Sequence, residues 1–508
     1  MESPWYSQPP MSEQALSIGP LQRLPQVDAA SASQTPVPPY GSRWSLFVSL
    51  VCACILMSAL GSILWFSVTV PKLQRFEEPD RALDLMVSRM LEAQDSLSGS
   101  PEWQQWLAEW TMGNKDEAYT QGIRWYRELV ETTDDPLSKL RLVILLGESG
   151  REAEALAEAK EWHDHDVSAG LFEQLTVAAY GSQPLDRIQE LELQAALAET
   201  VPSGWFYNQL SARLARRGGH QGRLATIEQQ SAGNTDRIQQ WIRPVIVTEM
   251  ICLMIGSVML LGIVRLRGQR VDILRVHVPG VPPPWSGSTA VAVILRGGAL
   301  GAITTLAFLS MPAFEQSSAS ALVIPLANLP LLILAYVQLL KPAGLTFGNG
   351  FGLRIKSGNY GRLACIIVSV IAAGLWGEWV LGKAADVLNL TNHWTEWFDP
   401  NLVWASPSQL TVSVLEYVIF APIFEEIAFR GLLYATLRRR LAFFPAAIIS
   451  TSIFALAHGY SLIGFISVFW SGFLWAWIYE RTGSLIPGMV AHAMNNLLVC
   501  LTVMALLR

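Results

Sequence analysis

Long uncharged apolar runs limit this chain more than any other feature. The first, from Trp44 to Val70, contains no Asp, Glu, Lys or Arg. A helix needs about 20 apolar residues to cross the hydrocarbon core of a bilayer, so this run suffices for one span. It is too long and lies too far from the start for an ordinary cleaved signal peptide, and reads as a retained anchor. Eight more apolar runs follow, near residues 244–264, 290–312, 320–340, 362–382, 409–433, 443–458, 462–479 and 485–506. The sequence thus predicts nine spans. Charged residues make up only 15% of the chain, against about 25% in a typical soluble protein. Its nineteen tryptophans suit the interfaces of a membrane.

Between the anchor and the later spans the character changes. Residues 71–241 hold 28 Asp and Glu against 17 Lys and Arg, with apolar positions at helical spacing as in "EEPDRALDLMVSRMLEAQ". The stretch "DPLSKLRLVILLGESGREAEALAEAKEW", with Gly147 and Gly150 between two helices, resembles one helix–turn–helix unit of the tetratricopeptide kind. The predicted fold is therefore all-α, a polytopic transmembrane helical bundle with an inserted soluble helical domain. Its parts are a disordered tail at 1–42, rich in Pro, Ser and Gln, an anchor at 43–70, the acidic domain at 71–241, transmembrane helices at 242–404 and a membrane core at 405–508. The five cysteines (Cys52, Cys54, Cys252, Cys365, Cys500) sit inside apolar runs without metal-site spacing and read as buried small residues. Adjacent His and Asp in "WHDHD" at 162–166 read as a solvated loop. No nucleic-acid partner is expected.

Basic residues follow alternate spans: Arg265, Arg267, Arg270 and Arg275 after the second, Lys341, Arg354 and Lys356 after the fourth, Arg438, Arg439 and Arg440 after the sixth. The intervening segments are acidic or neutral, including the 71–241 domain, Glu315 and the loop with Asp386, Glu396 and Asp399. Lys and Arg favour cytoplasmic loops. The expectation is a multi-pass protein of the plasma (inner) membrane with a cytoplasmic N-terminus and an extracytoplasmic acidic domain.

Against this apolar background three polar clusters stand out: Glu425, Glu426 and Arg430; His458 four residues after Phe454; and His492 with Asn496. An ionised side chain at mid-membrane costs roughly 2.5–3.5 kcal/mol on insertion scales. Residues four apart share a helix face, so Glu426 can pair with Arg430 and His492 with Asn496. Glu425 is turned about 100° away from Glu426. A glutamate in apolar surroundings can serve as general base on a water. Histidines can orient that water, bind a metal or donate to an oxyanion, and an asparagine amide is a neutral donor. Glu425, His458 and His492 are candidate metal ligands, for zinc above all, and a metal-free water fits the same residues; Asn is an uncommon zinc ligand. The blander readings are an interhelix ion pair for Glu426 and Arg430, and interhelix hydrogen bonds for the histidines and Asn496.

The three motifs "EEIAFRG", "FALAH" and "HAMNN" resemble those of the CPBP intramembrane protease family. That family includes CAAX prenyl-protein endopeptidases and bacterial bacteriocin-processing and self-immunity (Abi) proteins. Its pattern, EExxxR, FxxxH and HxxxN, is met at Glu425, Glu426 and Arg430, at Phe454 and His458, and at His492 and Asn496. The resemblance covers about residues 405–506. It implies an intramembrane endopeptidase acting on a membrane-associated or prenylated (CAAX-type) protein or peptide. By that analogy Glu425 activates water, His458 and His492 shape the site, Asn496 serves the oxyanion, and Glu426 and Arg430 support them. Membrane lipid, a membrane protein or peptide substrate, and a protein partner of the 71–241 domain are the expected partners. The rival readings are a non-proteolytic scaffold or bacteriocin self-immunity factor, and a proton-coupled transporter; the transporter should show internal repeats, and none is evident.

The charge alternation is testable directly. A reporter active only in the cytoplasm, fused near Gly150, should be silent; strong activity there would reverse the orientation.

Overall fold

The computed structural model describes residues 43–97, 101, 102, 105, 113–160, 162, 167–268, 274–277, 280–311, 323–355, 357–388, 390 and 393–508. The 1–42 tail, Arg270, Glu315, Lys356 and the His–Asp pairs at 163–166 lie outside these residues. Every regular element among the described residues is helical. Contacts divide the chain into a unit ending at Val48 and one from Ser49 to Arg508. Of the first unit, Arg43–Val48 form the opening turns of α1 (Arg43–Thr69), where Trp44 meets Phe47 edge to face at 6.1 Å. All other elements belong to the second.

Helices α2 (Pro79–Leu97), α3 (Lys115–Thr132), α4 (Pro136–Glu148), α5 (Glu152–Lys160), α6 (Val167–Tyr180), α7 (Arg187–Thr200) and α8 (Trp205–Arg217) build the inserted domain. Their starts follow from local chemistry. Asn114 and Glu117 form a reciprocal capping box on α3, which satisfies two otherwise orphaned backbone donors. Asp135 accepts from the amides of Leu137 and Ser138, with Pro136 at the first helical position. Gly147 permits a close approach: a Cβ there would sit 2.3 Å from the Tyr180 ring of α6. The Tyr180 hydroxyl donates to Glu148 at 3.0 Å.

Helix α9 (Gln221–Gly268) leaves this domain and enters the bundle without a break, its membrane portion being Gln239–Leu266. The bundle continues with α10 (Gly287–Leu309), α11 (Val323–Leu340), α12 (Tyr360–Val387), α13 (407–437), α14 (Phe443–Leu456), α15 (Leu462–Thr482) and α16 (Ile486–Leu507). The protein is a multi-pass membrane protein. Seven of the nine predicted spans are long and apolar enough to cross alone: α1, the membrane part of α9, α10, α11, α12, α15 and α16. The other two differ for physical reasons. Helix α14 has 14 residues, about 21 Å at 1.5 Å per residue, and ends at the His458 turn. Helix α13 carries Glu416, Glu425, Glu426 and Arg430, and its ladder switches to π-helical turns at Glu416–Phe420 and Glu426–Tyr434.

The inserted domain shares a core with the bundle. Leu129, Leu140 and Phe206 belong to one buried apolar cluster with Trp394, Phe398, Leu402 and Val403, and with Cys500, Val503 and Leu507 at the end of α16. Burial of one such side chain contributes roughly 1.5–3 kcal/mol. A polar contact lies beside this core: His393 Nε2 donates to Glu128 Oε2 at 3.0 Å, while its Nδ1 accepts from Thr395.

That contact has a pH signature. The hydrogen bond from His393 holds the Glu128 carboxyl below its ordinary value of 4.5. A depressed folded-state pKa stabilises above the unfolded value and loses that contribution as pH falls through the folded one. Glu128 is 42% exposed, so the expected size is that of a surface pair, about 0.2–1 kcal/mol. The stability gap between the wild type and Glu128→Gln, measured by unfolding in detergent, should be present at neutral pH and close below the folded carboxyl pKa. A gap that stays constant through the acid range would dismiss the contact as a source of stability.

Candidate active site

Four helices of the bundle bring the polar clusters together. Helix α13 supplies Glu425, Glu426 and Arg430; α14 supplies Phe454 and, in the turn after it, His458; α15 supplies Trp475; and α16 supplies His492 and Asn496. The α-helical geometry expected for 425–430 gives way to a π-helical run from Glu426. Such irregular turns recur at functional sites. Here the Phe429 carbonyl, inside that run, accepts from Ser450 Oγ of α14 at 3.0 Å.

Glu426 is fully buried and its Oε1 receives two donors: Arg430 Nη1 at 2.8 Å and His492 Nδ1 at 3.2 Å. Arg430 is itself 1% exposed. Its guanidinium lies over the Phe454 ring at 4.2 Å and the Trp475 ring at 5.1 Å, so aromatic faces substitute for part of its lost hydration. Glu426 Oε2 and Arg430 Nη2 have no hydrogen-bond partner among the described residues. Space around them is tight. A Cβ on Gly472 would fall 2.5 Å from Arg430 Nη2, and one on Gly488 3.1 Å from Glu426 Oε2.

The other face of His492 completes the arrangement. Its ring stacks on Trp475 at 4.0 Å and 17°, and its Nε2 lies 3.7 Å from Glu425 Oε2. Glu425 is 28% exposed where Glu426 is 0%; the adjacent carboxylates occupy different environments. His458 Nδ1 donates to the Phe454 carbonyl at 2.8 Å, and Phe454 meets His458 edge to face at 4.7 Å and His492 at 6.1 Å. The Phe of the FxxxH motif is thus the ring against which both imidazoles and the arginine rest. The half-buried Asn496 donates through Nδ2 to the Tyr417 carbonyl at 2.9 Å, and Tyr417 lies in the first π-helical run of α13.

The sequence-predicted residues Glu425, Glu426, Arg430, Phe454, His458, His492 and Asn496 all fall in this region. Trp475 and Tyr417 were not singled out. No sequence signal separates Trp475 from the other tryptophans, though Gly472 three residues earlier marks a close approach on the same helix face. Glu425, His458 and His492 were candidate zinc ligands. Among the described residues no three His, Cys, Asp or Glu side chains converge as a metal-ligand set; both imidazoles direct Nδ1 to protein acceptors and keep Nε2 free.

A family profile described as type II CAAX prenyl endopeptidase, Rce1-like, matches residues 407–498. Residues 407–498 resemble an Rce1-like domain. Over that stretch the chain is similar to the CPBP/CAAX proteases, a family named for its endopeptidases. The match begins at the first residue of α13 and ends within α16, so it contains every side chain of the polar cluster, and it leaves the inserted domain unmatched. No curated protein and no solved structure matches the chain.

The buried pair predicts a stability pattern. Glu426→Gln and Arg430→Gln should each lower thermal stability in detergent, because removing one partner of a buried pair costs about 3–5 kcal/mol. The double variant should lose less than the sum of the two. Additive losses would show that the two side chains do not support each other.

Proposed function

We propose that the chain is an intramembrane endopeptidase in which Glu425 activates a water molecule against a peptide bond of a membrane-associated substrate, with prenylated CAAX-type proteins as the leading class. The observation that carries this reading is the geometry around His492. In the neutral imidazole, Nδ1–H donating to Glu426 leaves Nε2 as an acceptor. Glu425 Oε2, a second acceptor, lies 3.7 Å away. A water can bridge them by donating one hydrogen to each, and that water is aligned for deprotonation.

Glu425 takes one proton from the water as its oxygen attacks the scissile carbonyl carbon. His492 holds the other proton, and Glu426, neutralised by Arg430, fixes the imidazole orientation. Asn496 spends one amide hydrogen on Tyr417, leaving the second for the developing oxyanion, where such a donor contributes about 2.7–4 kcal/mol. His458, with Nδ1 committed to Phe454, offers Nε2 to the reacting groups. Collapse of the tetrahedral intermediate breaks the C–N bond, and Glu425 returns its proton to the leaving amine. No step here runs through a metal.

The family description supports the CAAX-type substrate class. The alternation of basic and acidic loops supports a cytoplasmic N-terminus and an extracytoplasmic inserted domain. The unmatched inserted domain is the region that would recruit a protein partner or substrate.

The test uses a fluorogenic farnesylated CAAX-type peptide and purified protein in detergent. Glu425→Gln should reduce cleavage by about 10²–10⁴-fold with an unchanged melting temperature. Wild-type cleavage should survive chelation; reversible loss restored by zinc would replace the metal-free mechanism with a metallopeptidase. A well-folded Glu425→Gln that still cleaves would remove Glu425 as the base. A wild type that cleaves no membrane substrate would favour a scaffold or immunity role, and proton-driven uptake into liposomes would favour a transporter.

A further inference from the structure

A short segment outside the Rce1-like domain touches both the inserted domain and the catalytic turns. It begins at His393, forms a short 3-10 helix (Trp394–Glu396) and a single α-turn (Pro400–Val403), and runs on to Trp404. On one side it is embedded in the inserted domain. Trp394 is fully buried, packs on Phe76 at 5.2 Å and lies in the shared core. His393 donates to Glu128 of α3, and the Arg81 guanidinium of α2 covers the Trp404 ring at 4.7 Å.

On its other side the same segment grips the active site. Glu396, with an 11% exposed side chain, accepts from Lys72 Nζ at 2.8 Å, from the Ser461 amide at 3.2 Å and from Ser461 Oγ at 2.9 Å. Ser461 stands at the N-cap position of α15, without a side-chain capping bond, and lies three residues after His458, across a turn in which Gly459 has φ 67°. Lys72 follows directly on α1, and α1 packs on the same turn: a Cβ on Gly459 would sit 3.2 Å from Ile63 Cγ2. Three residues beyond Glu396, Asp399 accepts from the Tyr417 hydroxyl at 2.7 Å. The Tyr417 carbonyl is the acceptor for Asn496. One segment that the inserted domain holds therefore contacts residues beside two of the proposed site side chains.

We propose that Glu396 is a positioning residue for His458, and that the 393–404 segment couples the seating of the inserted domain to the geometry of the active site. This rests on the endopeptidase reading for its catalytic consequence, but not for its structural one. The carboxylate suits the task because its two oxygens accept the backbone and side chain of one residue while a lysine neutralises it. None of Lys72, Glu128, Trp394 and Glu396 lies within residues 407–498, so this control belongs to what this chain adds to the domain. A protein that binds the inserted domain would act on the site through this segment.

Two readouts on the full chain in detergent test it. The first is the rate at which diethyl pyrocarbonate modifies His458, mapped by mass spectrometry with His220 as internal reference; it requires no turnover. The second is kcat and KM on the farnesylated peptide. Glu396→Ala should speed modification of His458 several-fold and lower kcat by between about tenfold and 10²-fold, the scale of a 1 Å misplacement, with KM little changed. Glu396→Gln, which keeps an acceptor for Ser461, should recover most of both. A general structural role would instead lower the melting temperature of both variants alike. If Glu396→Ala does not fold, Ser461→Ala should shift His458 modification in the same direction. Unchanged His458 modification in a folded variant overturns the proposal. A wild type inert toward the peptide, with His458 modification still sensitive to Glu396, defeats the endopeptidase reading and leaves the coupling standing.

Discussion

The buried Glu426 carboxylate, shared between Arg430 and His492, is the interaction on which the rest of the bundle depends. An isolated carboxylate at 0% exposure among apolar helices would carry a desolvation penalty of several kcal/mol. The arginine four residues along supplies the opposite charge from the same helix, and the histidine supplies a donor from α16. That requirement fixes which faces of α13 and α16 meet. It also dictates small residues at Gly472 and Gly488, since a methyl group at either would press on the guanidinium or the carboxylate.

Aromatic rings complete what the charges begin. Phe454 and Trp475 lie against the arginine and both imidazoles. They screen the pair from lipid and still offer a quadrupole that a cation finds favourable. Rings also have few rotamers, so the imidazoles lean on surfaces that do not shift. The result is an environment in which two neighbouring glutamates differ: Glu426 is locked in the scaffold, and Glu425 keeps partial exposure.

The inserted domain is held by a large apolar contact, and the polar contacts at its edge reach into the bundle. The 393–404 segment carries Trp394, Phe398 and Trp404 toward the domain and its carboxylates toward the site, at Glu396 and Asp399. In a loop that the sequence marks only as acidic, the placing of Trp394 and Phe398 beside Glu396 and Asp399 is what divides the two sides.

Much of the protein was legible in its residues. Apolar run length determined the helical, membrane-spanning class, because a bilayer leaves the backbone no other way to satisfy its hydrogen bonds with open strands excluded. The expense of charge in that setting made Glu425, Glu426, Arg430, His458, His492 and Asn496 conspicuous, and the ordered motifs pointed to the family. Helical spacing alone paired Glu426 with Arg430. What the sequence could not contain was any contact between helices far apart in the chain. That His492 lies between the two glutamates, that Trp475 is the tryptophan beneath it, and that Tyr417 receives Asn496 are decided by how α13, α15 and α16 cross. The π-helical turns of α13 were likewise hidden; the carbonyl of Phe429 in one of them accepts from Ser450 of α14. The link from Glu128 through the 393–404 segment to His458 joins residues hundreds of positions apart. Only the packing of the inserted domain onto the bundle creates it.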